Sequence, residues 1–135
     1  MTAEKFEKYL KSIGGLVNGW YPDREPIETS GICWCDDGWL QLIHDLIEEL
    51  IAVGWNKQIK QIKEKFGGLR FYIGNGSEEI HEIISKYERK SYETCEVCGE
   101  PGQNRNDCGW GGSGWYKTMC DNHHEKLKEE RKNER

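Results

Sequence analysis

The sequence predicts an α+β fold: a small body of helices and a β-hairpin over residues 1–92, followed by a compact module over residues 93–135. Three observations predict it. Apolar side chains recur at helical spacing through Trp39, Ile43, Leu46, Ile47 and Leu50; alternating apolar residues flank Gly67-Gly68; and two short pairs, Cys95-x-x-Cys98 and Cys120-x-x-His123, close the chain.

The first helix is expected over Ala3 to Ile13, with Phe6, Leu10 and Ile13 on one face and Gly14-Gly15 as its stop. A polar loop carrying Pro22 and Pro26 leads to the Cys33-Trp34-Cys35-Asp36-Asp37-Gly38 turn. The central helix follows and runs to Gly54. Asp36 or Asp37 is placed to cap it, because a carboxylate there accepts from free backbone N–H groups at the positive helix end.

Gly67-Gly68 reads as a two-residue hairpin turn. Pairing around it sets Phe66 opposite Leu69, Glu64 opposite Phe71 and Ile62 opposite Ile73, and gathers Lys65 opposite Arg70 and Lys63 opposite Tyr72 on the other face. Like charges opposed across a ladder repel, so an anion is one reason for them; a solvated face that protects a sheet edge is the other. Residues 58–66 also fit a helical period, which would scatter the patch. Ser77 is expected to cap a third helix that turns Ile80, Ile83, Ile84 and Tyr87 inward, with Glu78 and Glu79 at its positive end.

The two Cys/His pairs suit tetrahedral zinc. Each spacing fits a tight turn that aims two side chains at one point, and two such turns close a four-ligand site without a position for water. Cys95, Cys98, Cys120 and His123 are therefore the expected ligands of one structural Zn²⁺, in a treble-clef or zinc-ribbon arrangement. His124 is the alternative fourth ligand, and Cys108 an alternative to either; a disulfide or free thiols are the competing states. Residues 110–116, rich in glycine and aromatic side chains, are expected to form the hairpin between the pairs, and Lys126 to Arg135 a polar helix. Cys33 and Cys35 read as a buried structural pair, since only two ligands are local.

Charge narrows the partners. Residues 1–56 carry 4 basic and 10 acidic side chains, residues 57–73 carry 5 and 1, and residues 74–135 carry 10 and 13, within a net charge of −5. An acidic chain with one basic island is poorly suited to duplex DNA, whose affinity rests on neutralising many phosphates. The N-terminus lacks the apolar core of a signal peptide and no stretch approaches the roughly 18 apolar residues of a span, so a cytoplasmic protein with no membrane partner is expected. Hydrophobic content of 36% is modest, which leaves metal to supply stability. Glu64 with His81 or His44 can be drawn as an acid-base set, but no activated nucleophile or open metal site accompanies them, so no enzyme is expected.

Cys35-Asp36-Asp37-Gly38-Trp39, Lys63-Glu64-Lys65-Phe66-Gly67-Gly68-Leu69-Arg70-Phe71-Tyr72, and Cys95-x-x-Cys98-Gly99 with Gly114-Trp115 and Cys120-Asp121-x-His123 together resemble a group of small zinc-knuckle proteins of phages, prophages and other bacterial mobile elements. The resemblance spans residues 31–124 and implies a phage setting, in the host bacterial cytosol, without implying an activity. In that setting the expected function is a non-enzymatic anti-defence protein that sequesters a phosphate-bearing nucleotide signal. Lys63, Lys65 and Arg70 would hold phosphates, Tyr72 or Trp39 would stack on a base, and Asp37 would accept from base or ribose groups. Enclosing a small ligand favours a homo-oligomer. The alternatives are a zinc-ribbon inhibitor or adaptor that binds a host protein, and a nucleic-acid-binding protein.

Overall fold

The computed structural model describes residues 1–14, 16–17, 27–28, 33–112 and 114–133. Its order is α1 (Ala3–Ser12), β1 (Leu16–Val17), β2 (Ile27–Glu28), β3 (Cys33–Trp34), α2 (Leu40–Ala52), β4 (Gln58–Lys65), β5 (Gly68–Ile73), α3 (Glu78–Ser91), β6 (Gln103–Arg105), β7 (Lys117–Met119) and α4 (Asp121–Asn133). The expected α+β class is observed. Gly15 and the loop with Pro22 and Pro26 lie outside the described residues.

The helices form where apolar spacing placed them. Thr2 Oγ1 accepts from the Lys5 N–H to open α1, and Ser77 does the same for Ile80 at the start of α3. Gly14 leaves α1 at φ 73°, a conformation glycine adopts without a Cβ penalty. Asp36 does not cap with its side chain: it precedes a 3₁₀ turn, Asp37–Trp39, and its carboxylate is taken by Lys117 at 2.7 Å.

Strand β4 organises the sheet. One edge pairs with β5 in antiparallel fashion, while the other pairs in parallel with β1 near its start and β3 near its end; β1 also pairs with β2. The helical alternative for residues 58–66 is thereby replaced by a strand. Ile59, Ile62, Leu69 and Phe71 pack on one sheet face against Ile43, Leu46, Ile47 and Leu50 of α2 and Ile80, Ile84 and Tyr87 of α3. Complete burial of a leucine or isoleucine contributes about 1.5–3 kcal/mol, so this cluster is the main stabiliser of the body.

The hairpin register differs from expectation by two residues. The turn is Phe66-Gly67, with φ 54° and 81°, the two positive values that a type I′ connection requires. Lys63 therefore faces Arg70, Lys65 faces Gly68, Glu64 faces Leu69, Ile62 faces Phe71 and Gln61 faces Tyr72; Ile59 faces Ile73 across a bulge. A shift of two keeps the ladder side chains on their expected faces, but Phe66, expected opposite Leu69, leaves the ladder for the turn. Tertiary contacts select the register: a Cβ at Gly68 would collide with the Tyr92 ring, and Asn104 Nδ2 and Thr118 Oγ1 donate to the carbonyls of Phe66 and Gly67 at 3.1 and 2.6 Å.

In the C-terminal module, a turn at residues 95–98, the β6–β7 hairpin and α4 follow in treble-clef order. The aromatic stretch 110–116 forms the connection of that hairpin rather than its ladder, with a 3₁₀ turn at Trp110–Gly112. The module is seated on the body. Gly38 N–H donates to the Glu96 carbonyl at 2.7 Å, Trp39 Nε1 to the Thr94 carbonyl at 2.9 Å, and a Cβ on Gly38 would overlap the backbone of Cys95 and Glu96.

Candidate metal centre and basic sheet face

Cys95, Cys98, Cys120 and His123 converge, their ligand atoms all within 4.8 Å of one another. The first two sit on a knuckle: Gly99 N–H donates to the Cys95 carbonyl at 2.8 Å, and Gly99 takes φ 83°. Cys120 lies between β7 and α4, and His123 occupies the first turn of α4. Arg105 fixes that junction by donating to the Met119 carbonyl and, at 2.7 Å, to Asp121.

The distances fit a tetrahedral ion. Zinc at about 2.3 Å from sulfur and 2.0–2.1 Å from nitrogen implies S–S edges of about 3.8 Å and S–N edges of about 3.6 Å. Cys98 Sγ lies 3.9 Å from Cys120 Sγ, and His123 Nδ1 lies 3.8 Å from Cys95 Sγ and 3.2 Å from Cys120 Sγ.

Electrostatics agree with a cation. Burial pushes the Cys95 thiol up, but hydrogen bonds from the backbones of Cys120, Cys98 and Val97 outweigh it and hold Cys95 below the ordinary thiol range. Cys98 is pushed the other way, to about 11: the backbone at Glu100 favours its thiolate, but desolvation and the Cys95 and Cys120 sulfurs oppose it. Three sulfurs at one point resist ionising together, and a dication removes that conflict. His124 does not join the cluster; its Nε2 turns to Asp107 at 2.8 Å.

The second expected site divides. Lys63, Lys65, Arg70 and Tyr72 share the outer face of the β4–β5 hairpin. Lys63 Nζ lies 5.6 Å from the centre of the Tyr72 ring, and Arg70 donates to Tyr92 Oη at 3.2 Å. Trp39 is not with them. It is 0% exposed, a plug between α2 and the module, which removes it as a stacking surface. Asp37 lines a different cleft, beside Gln41, Asp45, Cys98 and Glu100.

Trp34 is the residue that sequence reasoning missed. It pairs with Lys63, which pairs with Arg70, so Trp34, Lys63 and Arg70 form one transverse row across β3, β4 and β5. The indole is 70% exposed. Only the parallel β3–β4 pairing reveals the row, and a two-residue strand leaves no periodic signal. Its chain neighbours Cys33 and Cys35, expected as a buried pair, are only half-buried against the core, with their sulfurs 3.2 Å apart. His44 and His81 do not meet Glu64: His44 contacts Asp45 and Glu48, His81 lines a shallow cleft on α3, and Glu64 accepts from the Gly67 N–H.

No helix among the described residues is long and apolar enough to cross a membrane. Compared with known protein families, curated proteins and solved structures, the chain matches none.

Proposed function

We propose that this chain is a non-enzymatic binding protein that captures a phosphate-bearing nucleotide on the outer face of its sheet, with Zn²⁺ at Cys95, Cys98, Cys120 and His123 as a structural brace. The observation that carries the reading is the row Trp34–Lys63–Arg70: a largely exposed indole next to two cations, with Lys65 two residues along the strand. Strands lie about 4.8 Å apart, so the row spans about 10 Å, the scale of a base and its phosphate. Stacking on an aromatic ring contributes about 1–3 kcal/mol per base, and a charge-assisted hydrogen bond to phosphate about 1.5–3 kcal/mol.

The phage setting implied by the motif resemblance makes the ligand a nucleotide immune signal, sequestered in the host bacterial cytosol. An open sheet face encloses a small molecule best when a second copy covers it, so the binding form is a homo-oligomer. Titration calorimetry with cyclic di- and trinucleotides and cyclic ADP-ribose isomers tests this. Binding that weakens by about 10- to 150-fold in Arg70→Ala, with the ligand recovered intact after heating, supports sequestration; a changed product identifies an enzyme.

One observation favours a second reading. Phe66 is 63% exposed at the hairpin tip, with the Tyr116 ring edge-on at 6.4 Å. Such aromatic pairs anchor protein partners, so an adaptor reading replaces the first if no nucleotide binds and Arg70→Ala abolishes capture of a host protein.

A further inference from the structure

His123 and His124 are consecutive in the first turn of α4, and their rings serve opposite sides. His123 turns Nδ1 to the three-cysteine cluster, whereas His124 turns Nε2 to Asp107. Beside them stands Cys108, 1% exposed, in a second small buried cluster with Cys95 and Met119. Asp107, Cys108 and His124 present a carboxylate oxygen, a sulfur and an imidazole nitrogen within 4.8 Å of one another. We infer that these three residues form a second metal site, distinct from the four-ligand centre, that takes Zn²⁺ with one coordination position left to a non-protein ligand.

The donor set selects the metal. A thiolate and an imidazole disfavour magnesium and calcium, which take oxygen ligands, and a carboxylate completes a borderline set that suits zinc. Three protein donors are one fewer than a closed tetrahedral site uses. The fourth direction has space: Asp107 and Cys108 are on the wall of a cleft of about 430 Å³, whose other walls include Lys128, Arg131 and Lys132. Those cations suit a small anion or hydroxide on the metal. Arg131 is further held in place by the Trp110 ring at 4.3 Å, so one cleft wall is fixed before any ligand arrives. Metal binding replaces the Asp107–His124 hydrogen bond, whose 2.8 Å separation opens to the wider O–N edge of a tetrahedron. The residues used here lie outside the sheet face, so the inference stands or falls independently of nucleotide capture.

Zinc counted by native mass spectrometry on the full chain, titrated with Zn²⁺ alone, tests it. Two ions per chain are expected in the parent, and one in each of Asp107→Asn, Cys108→Ser and His124→Gln. Because Cys108 is buried and its variant can fail to fold, the Asp107→Asn change, at a half-buried side chain, provides the decisive comparison. Co²⁺ substitution adds a second readout: the ion lost in these variants should carry the weaker sulfur charge-transfer band of a single thiolate, with the three-thiolate band of the other ion retained. A parent that saturates at one zinc, or variants that keep two, overturns the inference.

Discussion

Thr118 Oγ1 donates to the Gly67 carbonyl at 2.6 Å, in a fully buried contact 51 positions apart in sequence. It joins the tip of the basic hairpin to β7, two residues before Cys120. The hairpin that carries Lys63 and Arg70 is therefore held at its turn by the module that carries the metal ligands.

Replacing Thr118 by Val keeps the volume and removes the donor, leaving the Gly67 carbonyl with one fewer partner. A loss of about 1–3 kcal/mol is expected, read as a lower urea midpoint with an unchanged slope. An unchanged midpoint would show that the contact does not hold the tip.

Chelation of the metal should release more than the C-terminal third. Amide exchange is expected to quicken at Gly67, Gly68 and Leu69 as well as over residues 93–124, because Asn104 and Thr118 lose their positions. Cys98→Ser should reproduce both effects. Exchange confined to the module would separate the two units energetically.

Arg70→Ala should affect binding and barely affect folding. The variant loses neutral-acceptor hydrogen bonds to Tyr92 and the Leu69 carbonyl, about 0.5–1.5 kcal/mol each before solvent replaces them, and a counter-charge beside Glu88, offset by relief of repulsion from Lys63 directly opposite, about 0.2–1 kcal/mol. A melting temperature close to the parent's is expected; a large fall would make Arg70 structural and weaken its assignment to a ligand.

Glu88 sets a pH dependence. Burial raises its carboxyl above the ordinary value of 4.5, although the Phe71 N–H and Arg70 pull it back. A folded-state pKa above the unfolded one means that the native protein binds more protons in that interval, so this group costs stability as pH rises through it. Glu88→Gln retains an acceptor for Phe71 and removes the buried charge. It should melt above the parent at pH 7, with the gain fading as pH falls toward the ordinary value of 4.5 and gone below it. A gain that persists at low pH would assign the effect to packing.

Gly38→Ala tests the seat between body and module. Its new Cβ overlaps backbone oxygens, which cannot swing aside as a side chain can, so the cost should reach the upper part of the 1–3 kcal/mol typical of overpacking, or about 3 kcal/mol. Thermal melts of the two proteins, with metal saturating, measure it; a parent-like melt would mean that the seat yields.

Helical periodicity was enough to locate α1, α2 and α3, because each has one apolar stripe and a terminus signal such as Ser77 or Gly14. Short-spaced ligands likewise located the knuckle. The turn of the basic hairpin was not legible, since Gly67-Gly68 and Phe66-Gly67 are distinguished only by Tyr92, Asn104 and Thr118, which lie far along the chain. Side-chain parity survived the two-residue error, so Lys63, Lys65, Arg70 and Tyr72 remained together. Trp39 stood on the apolar stripe of α2 in the sequence, and the Thr94 carbonyl that takes its indole N–H, 55 positions away, makes it a core plug, whereas the exposure of Trp34 follows from its place on the edge strand β3.

The bond from Trp39 Nε1 to the Thr94 carbonyl spans 55 positions, and it lies directly before the metal knuckle. During synthesis the body emerges with this indole uncovered and its seat at Gly38 unfilled, and it stays so until the knuckle is made. Closing so long a loop is slow on topological grounds, and with zinc held as proposed it would also wait on capture of the ion. Folding of this chain should then end in a zinc-paced step, with a half-built, aggregation-prone species accumulating whenever the cell is short of zinc.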